Sequence, residues 1–304
     1  SDHMSSSQKT VLIVLSILFS AGVTPIIIRI TQDQGMPSLV IVFIRLWIVS
    51  LGLTPIVWIR YRKQLLSLSK KQILFGIFAG FWLAINLLMF FWGLEFTSVL
   101  ITSVLRRTTP LWIITPEILL LGAVFTRRVW LSLGLSIIGV ILITLGAGGF
   151  IETGSQPLLG ASVAIFSAIS FGIYLLIGRK LNNSMPTILY SWLAFLSASI
   201  VITIFVFVSQ TPILGYSVSG YLWTLAVTFL AQIMGQMVIN LGLQRFSATA
   251  MAIILQISVV LSVIIAVLLF SEIPTVWQVI GSVMVIIGVI LATIEQSNHK
   301  VIRA

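Results

Sequence analysis

TILYSWLAFLSASIVITIFVFV, residues 187–208, carries 22 consecutive positions without a charged side chain. As a helix it rises about 33 Å at ~1.5 Å per residue, enough to cross a hydrocarbon core of about 30 Å. Its apolar residues run continuously instead of alternating, and it is about twice the length of a barrel strand, so a strand reading fails. The segment reads as a membrane-spanning helix.

Working outward from it, charged and Gly/Pro-rich breaks separate nine further apolar runs, near 10–30, 37–59, 72–94, 97–122, 129–147, 157–178, 219–243, 247–270 and 275–294. The 304 residues are 59% hydrophobic and 8% charged, with mean hydropathy +1.17. A soluble domain carries about 25% charged residues, so this chain cannot cover itself with a water-compatible surface. A soluble enzyme, a secreted factor and a disordered scaffold are excluded, and the short loops leave no room for a separate soluble domain. The chain is expected to be an all-α integral membrane protein with ten transmembrane helices. Cysteine is absent, which removes disulfides, thiolate nucleophiles and thiolate metal sites. Ser1-Asp2-His3 reads as a cloning remnant before Met4. The first run, preceded by Lys9 and closed by Arg29 with no small-residue cleavage site, reads as a span instead of a signal peptide.

Lys and Arg in short loops favour the cytoplasm. With the N-terminus inside, that face collects Lys9, Arg60, Arg62, Lys63, Lys70, Lys71, Arg127, Arg128, Arg179, Lys180, Arg245, Lys300 and Arg303. The opposite face receives Arg29 with the acids Asp33, Glu95, Glu152 and Glu272. Both termini are therefore expected in the cytoplasm, in a multi-pass protein of the cell membrane. The same distribution accounts for the net charge of +10. It reads as a topology signal near anionic lipid, and no nucleic-acid partner is expected.

Sliding the second half of the chain onto the first by 149 or 150 residues aligns Ser20, Gly22 and Arg29 with Ser170, Gly172 and Arg179. The same shift places Gly93-Leu94 on Gly242-Leu243 and Gly139-Val140-Ile141 on Gly288-Val289-Ile290. Each unit holds five spans, an odd number, so two copies must cross the membrane in opposite directions, as inverted repeats do. The expected division is a tag remnant and cytoplasmic N-terminus (1–9), a first five-helix repeat (10–149), a second (150–296) and a cytoplasmic tail (297–304).

In the second half, Leu268-Leu269-Phe270-Ser271-Glu272 is followed by Trp277, Gly281 and Gly288-Val289; in the first, Pro110 sits mid-span and Arg45 lies in the second run. This pattern resembles the EamA-type members of the drug/metabolite transporter superfamily over nearly the whole chain, about 10–296. Ala123 stands where the family's turn usually has glutamate, and Val259 where its second mid-helix proline falls. The resemblance implies ten helices in two five-helix repeats and transport of small metabolites, in many members export of amino acids or related compounds.

Ionisable residues inside spans are costly, about 2.5–3.5 kcal/mol each at mid-bilayer unless they face water or a partner. Arg45, Arg106, Arg107 and Glu117 are such residues. Arg106 and Arg107 stand near mid-depth of the fourth run and project about 100° apart, so only one points straight into a central cavity. Adding 149 to 107 gives Gln256, the amide of the ninth run, which favours Arg107 as the cavity residue and Arg106 as a structurally paired one. Glu117 follows Arg106 by three turns, about 16 Å, too far to pair with it. Glu117 is expected to neutralise an arginine such as Arg45, to couple transport to protons, or to lie at the cytoplasmic mouth. Gln232, Gln236 and Asn240 recur every four residues and share a face. Trp82, Asn86 and Phe90 share another, with Asn86 opposite Gln236 under a shift of 150. Tyr174, with Tyr190 and Trp192, would add aromatic walls.

HExxH, phosphate-binding GxxxxGK[ST], a DxD pair and a Cys/His cluster are all missing from the sequence. No catalytic residue, metal or cofactor is expected, and gradients or exchange must drive movement. The reading is a secondary transporter, an exporter or exchanger, of a small polar metabolite, an amino acid or organic anion, by alternating access around a central cavity. Arg107 or Arg106 would hold the anionic group; Asn86, Gln232, Gln236 and Gln256 the polar body; Trp82 and Tyr174 the apolar part. The alternatives are a carrier of organic or quaternary ammonium cations with an aromatic box and Glu117 as counter-charge, and a membrane scaffold with no pathway. The expected partners are the substrate and the lipid bilayer, with a monomeric chain.

Overall fold

The structure is a computed structural model that describes residues 6–96, 105–146, 156–270 and 274–301. The Ser271-Glu272 turn, Glu152, His3 and the junction near 149–150 lie outside the described residues.

Among the described residues the chain is helical, with no strand. In chain order the helices are α1 (Ser6–Asp33), α2 (Ser38–Arg60), the short α3 (Arg62–Leu66), α4 (Lys70–Phe96), α5 (Thr109–Leu121), α6 (Arg127–Gly146), α7 (Pro157–Leu181) and α8 (Thr187–Val208). Then follow α9 (Val218–Val227), a π-helical segment (Thr228–Met237) and α10 (Val238–Gly242), which run on as one rod. α11 (Ala248–Ile254), α12 (Ile257–Phe270) and α13 (Val276–Val301) complete the described chain. Among the described residues six helices are long and apolar enough to cross a bilayer: Ser38–Arg60, Lys70–Phe90, Arg127–Gly146, Leu159–Leu181, Thr187–Val208 and Val218–Gly242. The residues beyond 297, read as a tail, continue α13 as far as Val301.

Two compact units form, and each takes chain from both halves of the sequence. The first comprises Ser1–Leu88 and Ile173–Gln244. Its centre is the antiparallel pair α2 and α8, joined by Trp47 Nε1 to Thr203 Oγ1 (2.9 Å), Ser50 Oγ to Ser199 Oγ (3.0 Å) and Trp192 Nε1 to Thr54 Oγ1 (2.9 Å). Apolar residues cannot drive helix association in lipid, so small residues and hydroxyls hold the contact instead. α4 approaches α8 closely at Gly80, where a Cβ would run into the Ala194 carbonyl oxygen.

The second unit comprises Met89–Gly172 and Arg245–Ala304. Here α6 and α13 pack antiparallel with backbones nearly touching. A Cβ on Gly139 would lie 2.6 Å from the Gly281 carbonyl oxygen, and one on Gly281 2.5 Å from that of Gly139. Gly288, the 149-residue counterpart of Gly139, faces Ser132, whose carbonyl oxygen would be 2.8 Å from an added Cβ. Ser132 is itself the counterpart of Gly281, so the packing repeats under exchange of the two halves.

Three of the apolar runs are not continuous α-helix among the described residues, the fourth turning at Arg107-Thr108 just before α5. The ninth run breaks at Leu255-Gln256, between α11 and α12, without proline or glycine. The eighth contains the π segment, whose wider turns are rare and tend to mark functional sites. Ser20 Oγ donates to the Leu230 carbonyl within it (2.8 Å). Gly235 permits that approach, because a Cβ there would meet Ser20 Oγ at 2.7 Å.

Candidate functional site

In the first unit the polar residues of the eighth span separate into two groups. One group is bonded together, with only Asn182 Oδ1 left without a partner in it among the described residues. Tyr174 donates its hydroxyl to Asn240 Oδ1 (2.6 Å), Asn240 Nδ2 donates to Ser191 Oγ (2.9 Å), and Asn182 Nδ2 donates to the Asn240 carbonyl (2.9 Å). Tyr174, Tyr190, Ser191 and Asn240 have no exposed surface, and the two tyrosine rings lie 6.2 Å apart. Buried polar groups of this kind need their bonds satisfied and, once satisfied, rigidify their surroundings. Tyr174 is thus a hydrogen-bond donor inside the helix packing. Asn182 and Ser191 escaped the sequence reading, Asn182 because it follows Arg179-Lys180 at a span end and resembles a loop residue.

The second group is open. Gln232 is 1% exposed, yet neither its Oε1 nor its Nε2 has a hydrogen-bond partner among the described residues. Gln236, one step along the π segment, lies beside the Tyr174 hydroxyl while its Nε2 stays unbonded. Arg45 of α2 is 8% exposed, and its Nε has no partner among the described residues. α2 packs against the π segment; Ile41, one turn before Arg45, sits in an apolar cluster with Val227, against which Ala231 also packs. Asn86 is fully buried. Trp82 packs its ring against Phe78 and Phe81 (5.8 and 5.7 Å).

In the second unit the ionisable residues have structural partners. Arg107, half-buried, donates from Nη1 to the Leu255 carbonyl (2.8 Å), the same oxygen that takes the Ser258 hydroxyl (2.8 Å). Gln256 Nε2 in turn donates to the Arg107 carbonyl (3.4 Å). The guanidinium braces the α11–α12 break, where a carbonyl loses its helical donor. Arg106 lies over the Phe90 ring (4.3 Å to its centre) and near Phe171 (5.9 Å), a cation–π arrangement. Glu117, 2% exposed, accepts from the backbone N–H of Ala248 (2.6 Å) and of Thr249 (2.8 Å). Ser247 takes the Ala250 N–H (3.1 Å). Three orphan donors of the α11 N-terminus are thereby satisfied, and the carboxylate meets the positive end of the helix dipole. Glu117 therefore serves a helix end where an arginine partner was expected. Among the described residues no three His, Asp or Glu side chains gather in a metal-binding cluster.

The model of the EamA-like transporter family matches residues 8–145 and again 158–294. The uncharacterized transporter YyaM of Bacillus subtilis (strain 168) is 27% identical over 236 residues, 76% of this chain and 75% of that protein. A solved crystal structure, described only as that of a protein, shares the fold with a TM-score of 0.75 over 97% of this chain and 99% of that one, at 16% identity. Matched by the family model in both halves, with apolar helices long enough to span a bilayer in each, this multi-pass protein of the cell membrane belongs to the EamA-like transporter family.

Proposed function

We propose that the protein is a secondary transporter of a small polar metabolite bearing a carboxylate, an amino acid or an organic acid, working by alternating access as an exporter or exchanger. The observation that carries this is Gln232, an amide sealed within a span with neither polar atom bonded among the described residues. An unsatisfied buried amide costs about 1–3 kcal/mol, and in a span such polar groups mark substrate pathways. The proposed frame is ten helices in two inverted five-helix repeats, with both termini cytoplasmic. The basic loops and the antiparallel packing of the counterpart pairs α2/α8 and α6/α13 support it.

Asn86, Gln232 and Gln236 are proposed to hydrogen-bond the polar body of the substrate, and Trp82 to pack against its apolar part. Arg106, Arg107, Gln256 and Tyr174 already serve packing or the α11–α12 break. A cation carrier would need Glu117 as counter-charge, and both its oxygens are held by backbone amides.

Reconstitution in liposomes tests the reading. Vesicles preloaded with unlabelled amino acids or organic acids should accumulate the labelled species by counterflow, while protein-free vesicles should not. Accumulation of quaternary amines and of no acid would reverse it.

A further inference from the structure

The geometry points to Arg45, with the Gln232 amide on the helix packed beside it, as the anchor for the carboxylate of the transported molecule. This rests on the transport reading above and makes it specific.

A guanidinium inside a span needs an anion, an aromatic face or a row of carbonyls to replace its water. Arg106 lies over Phe90, Arg107 donates to the Leu255 carbonyl, and Arg179 donates to the Leu243 carbonyl (2.6 Å). Arg45 is as deeply placed, at 8% exposure, and forms no hydrogen bond, ion pair or ring contact among the described residues. Helix packing does not demand an arginine at this position. The counterpart 149 residues on is Ala194, fully buried on α8, so the same place in the other repeat is filled by a methyl group. The guanidinium is an addition to the scaffold.

The surroundings select the ligand. One turn before Arg45 on the same face, Ile41 packs with Val227, and Ala231 lies against that cluster. Gln232 follows Ala231 directly, so α2 and the π segment bring the unbonded guanidinium and the unbonded amide to one level of the same unit. Arg45 offers a planar fork of donors and Gln232 offers an NH2 group. An acceptor with two oxygens in a plane, a carboxylate, satisfies the fork in bidentate fashion. Gln232 Oε1 remains to accept from a neighbouring ammonium or hydroxyl of the same molecule. A quaternary ammonium would find only repulsion from the guanidinium.

The test uses the full-length protein in detergent and in liposomes, with the twenty L-amino acids, lactate and succinate set against their carboxamides. At least one acid should raise the melting temperature of the wild type while its amide does not. Arg45→Gln should abolish that shift and weaken the apparent affinity in counterflow by at least about tenfold. Arg45→Met and Gln232→Leu should melt, without additions, at or above the wild-type temperature, because each removes an unsatisfied group. Equal shifts in wild type and Arg45→Gln would overturn the anchor and leave the transport reading standing. A preference for the carboxamides would overturn the carboxylate, and silence of wild type toward the whole panel in both assays would overturn the anchor and the transport reading together. If Arg45→Met unfolds or melts lower than wild type, the guanidinium has a structural partner and the anchor is wrong.

Discussion

Ser50 and Ser199 are hydrogen-bonded through their hydroxyls at 3.0 Å, and 149 residues separate them, the same shift that aligns the two halves of the sequence. In the proposed frame of inverted repeats, a residue bonded to its own counterpart would lie on the axis that relates them. α2 and α8 cross there antiparallel, with Trp47 beside Thr203 and Thr54 beside Trp192. Antiparallel packing of two counterpart helices is the arrangement that the proposed inverted topology calls for. Gln256 and Arg107, again 149 apart, make the equivalent contact in the other unit.

The chain has no cysteine, so this contact can be probed directly. In Ser50→Cys/Ser199→Cys, oxidation with iodine should remove both titratable thiols, while each single variant keeps its one thiol under the same treatment. Two thiols persisting in the double variant would place the pair too far apart for a disulfide.

Arg107→Ala removes a charge-assisted bond to the Leu255 carbonyl worth about 1.5–3 kcal/mol. In counterflow the maximal rate should fall while the half-saturating concentration stays near wild type, because the residue braces a helix break. The opposite split, weakened affinity at an unchanged rate, would return Arg107 to the role of substrate ligand.

Glu117→Ala strands the Ala248 and Thr249 amides. The loss should be about 2–3 kcal/mol, and Glu117→Gln, which keeps one acceptor, should cost about 1 kcal/mol. Thermal unfolding in detergent should therefore rank wild type above Gln above Ala. Equal melting of all three would mean the carboxylate does not cap the helix.

Gly139→Ala should lower the melting temperature, with overpacking costing about 1–3 kcal/mol, since the added methyl meets the Gly281 backbone at 2.6 Å. Gly134→Ala, on the same helix with nothing within 4 Å of the new methyl, should gain up to about 1 kcal/mol from helix propensity. If the two variants melted alike, close approach would not explain the Gly139 site.

Hydropathy, loop charge and the 149-residue shift were enough to read a helical membrane protein with a duplicated plan, because burial in lipid acts on every residue of a span whatever its neighbours. Residues 187–208 could have no other fate in water or in a bilayer. Which glycine packs closely was not legible in this way: Gly134 and Gly139 of α6 look alike along the chain, yet an added Cβ meets nothing within 4 Å at Gly134 and the Gly281 carbonyl oxygen at Gly139.

Roles of single polar residues were not legible at that level. Arg45, Arg107 and Glu117 look alike along the chain, as charges in apolar runs, and the fold separates them: Glu117 meets amides 131 and 132 residues away, Arg107 a carbonyl 148 residues away, and Arg45 no described group at all. The π segment is equally hidden, since a shift of hydrogen-bond partner by one residue leaves composition and apolar period almost unchanged. Lipid compatibility is a property of each residue, whereas satisfying a buried polar group depends on which distant segment the packing brings beside it.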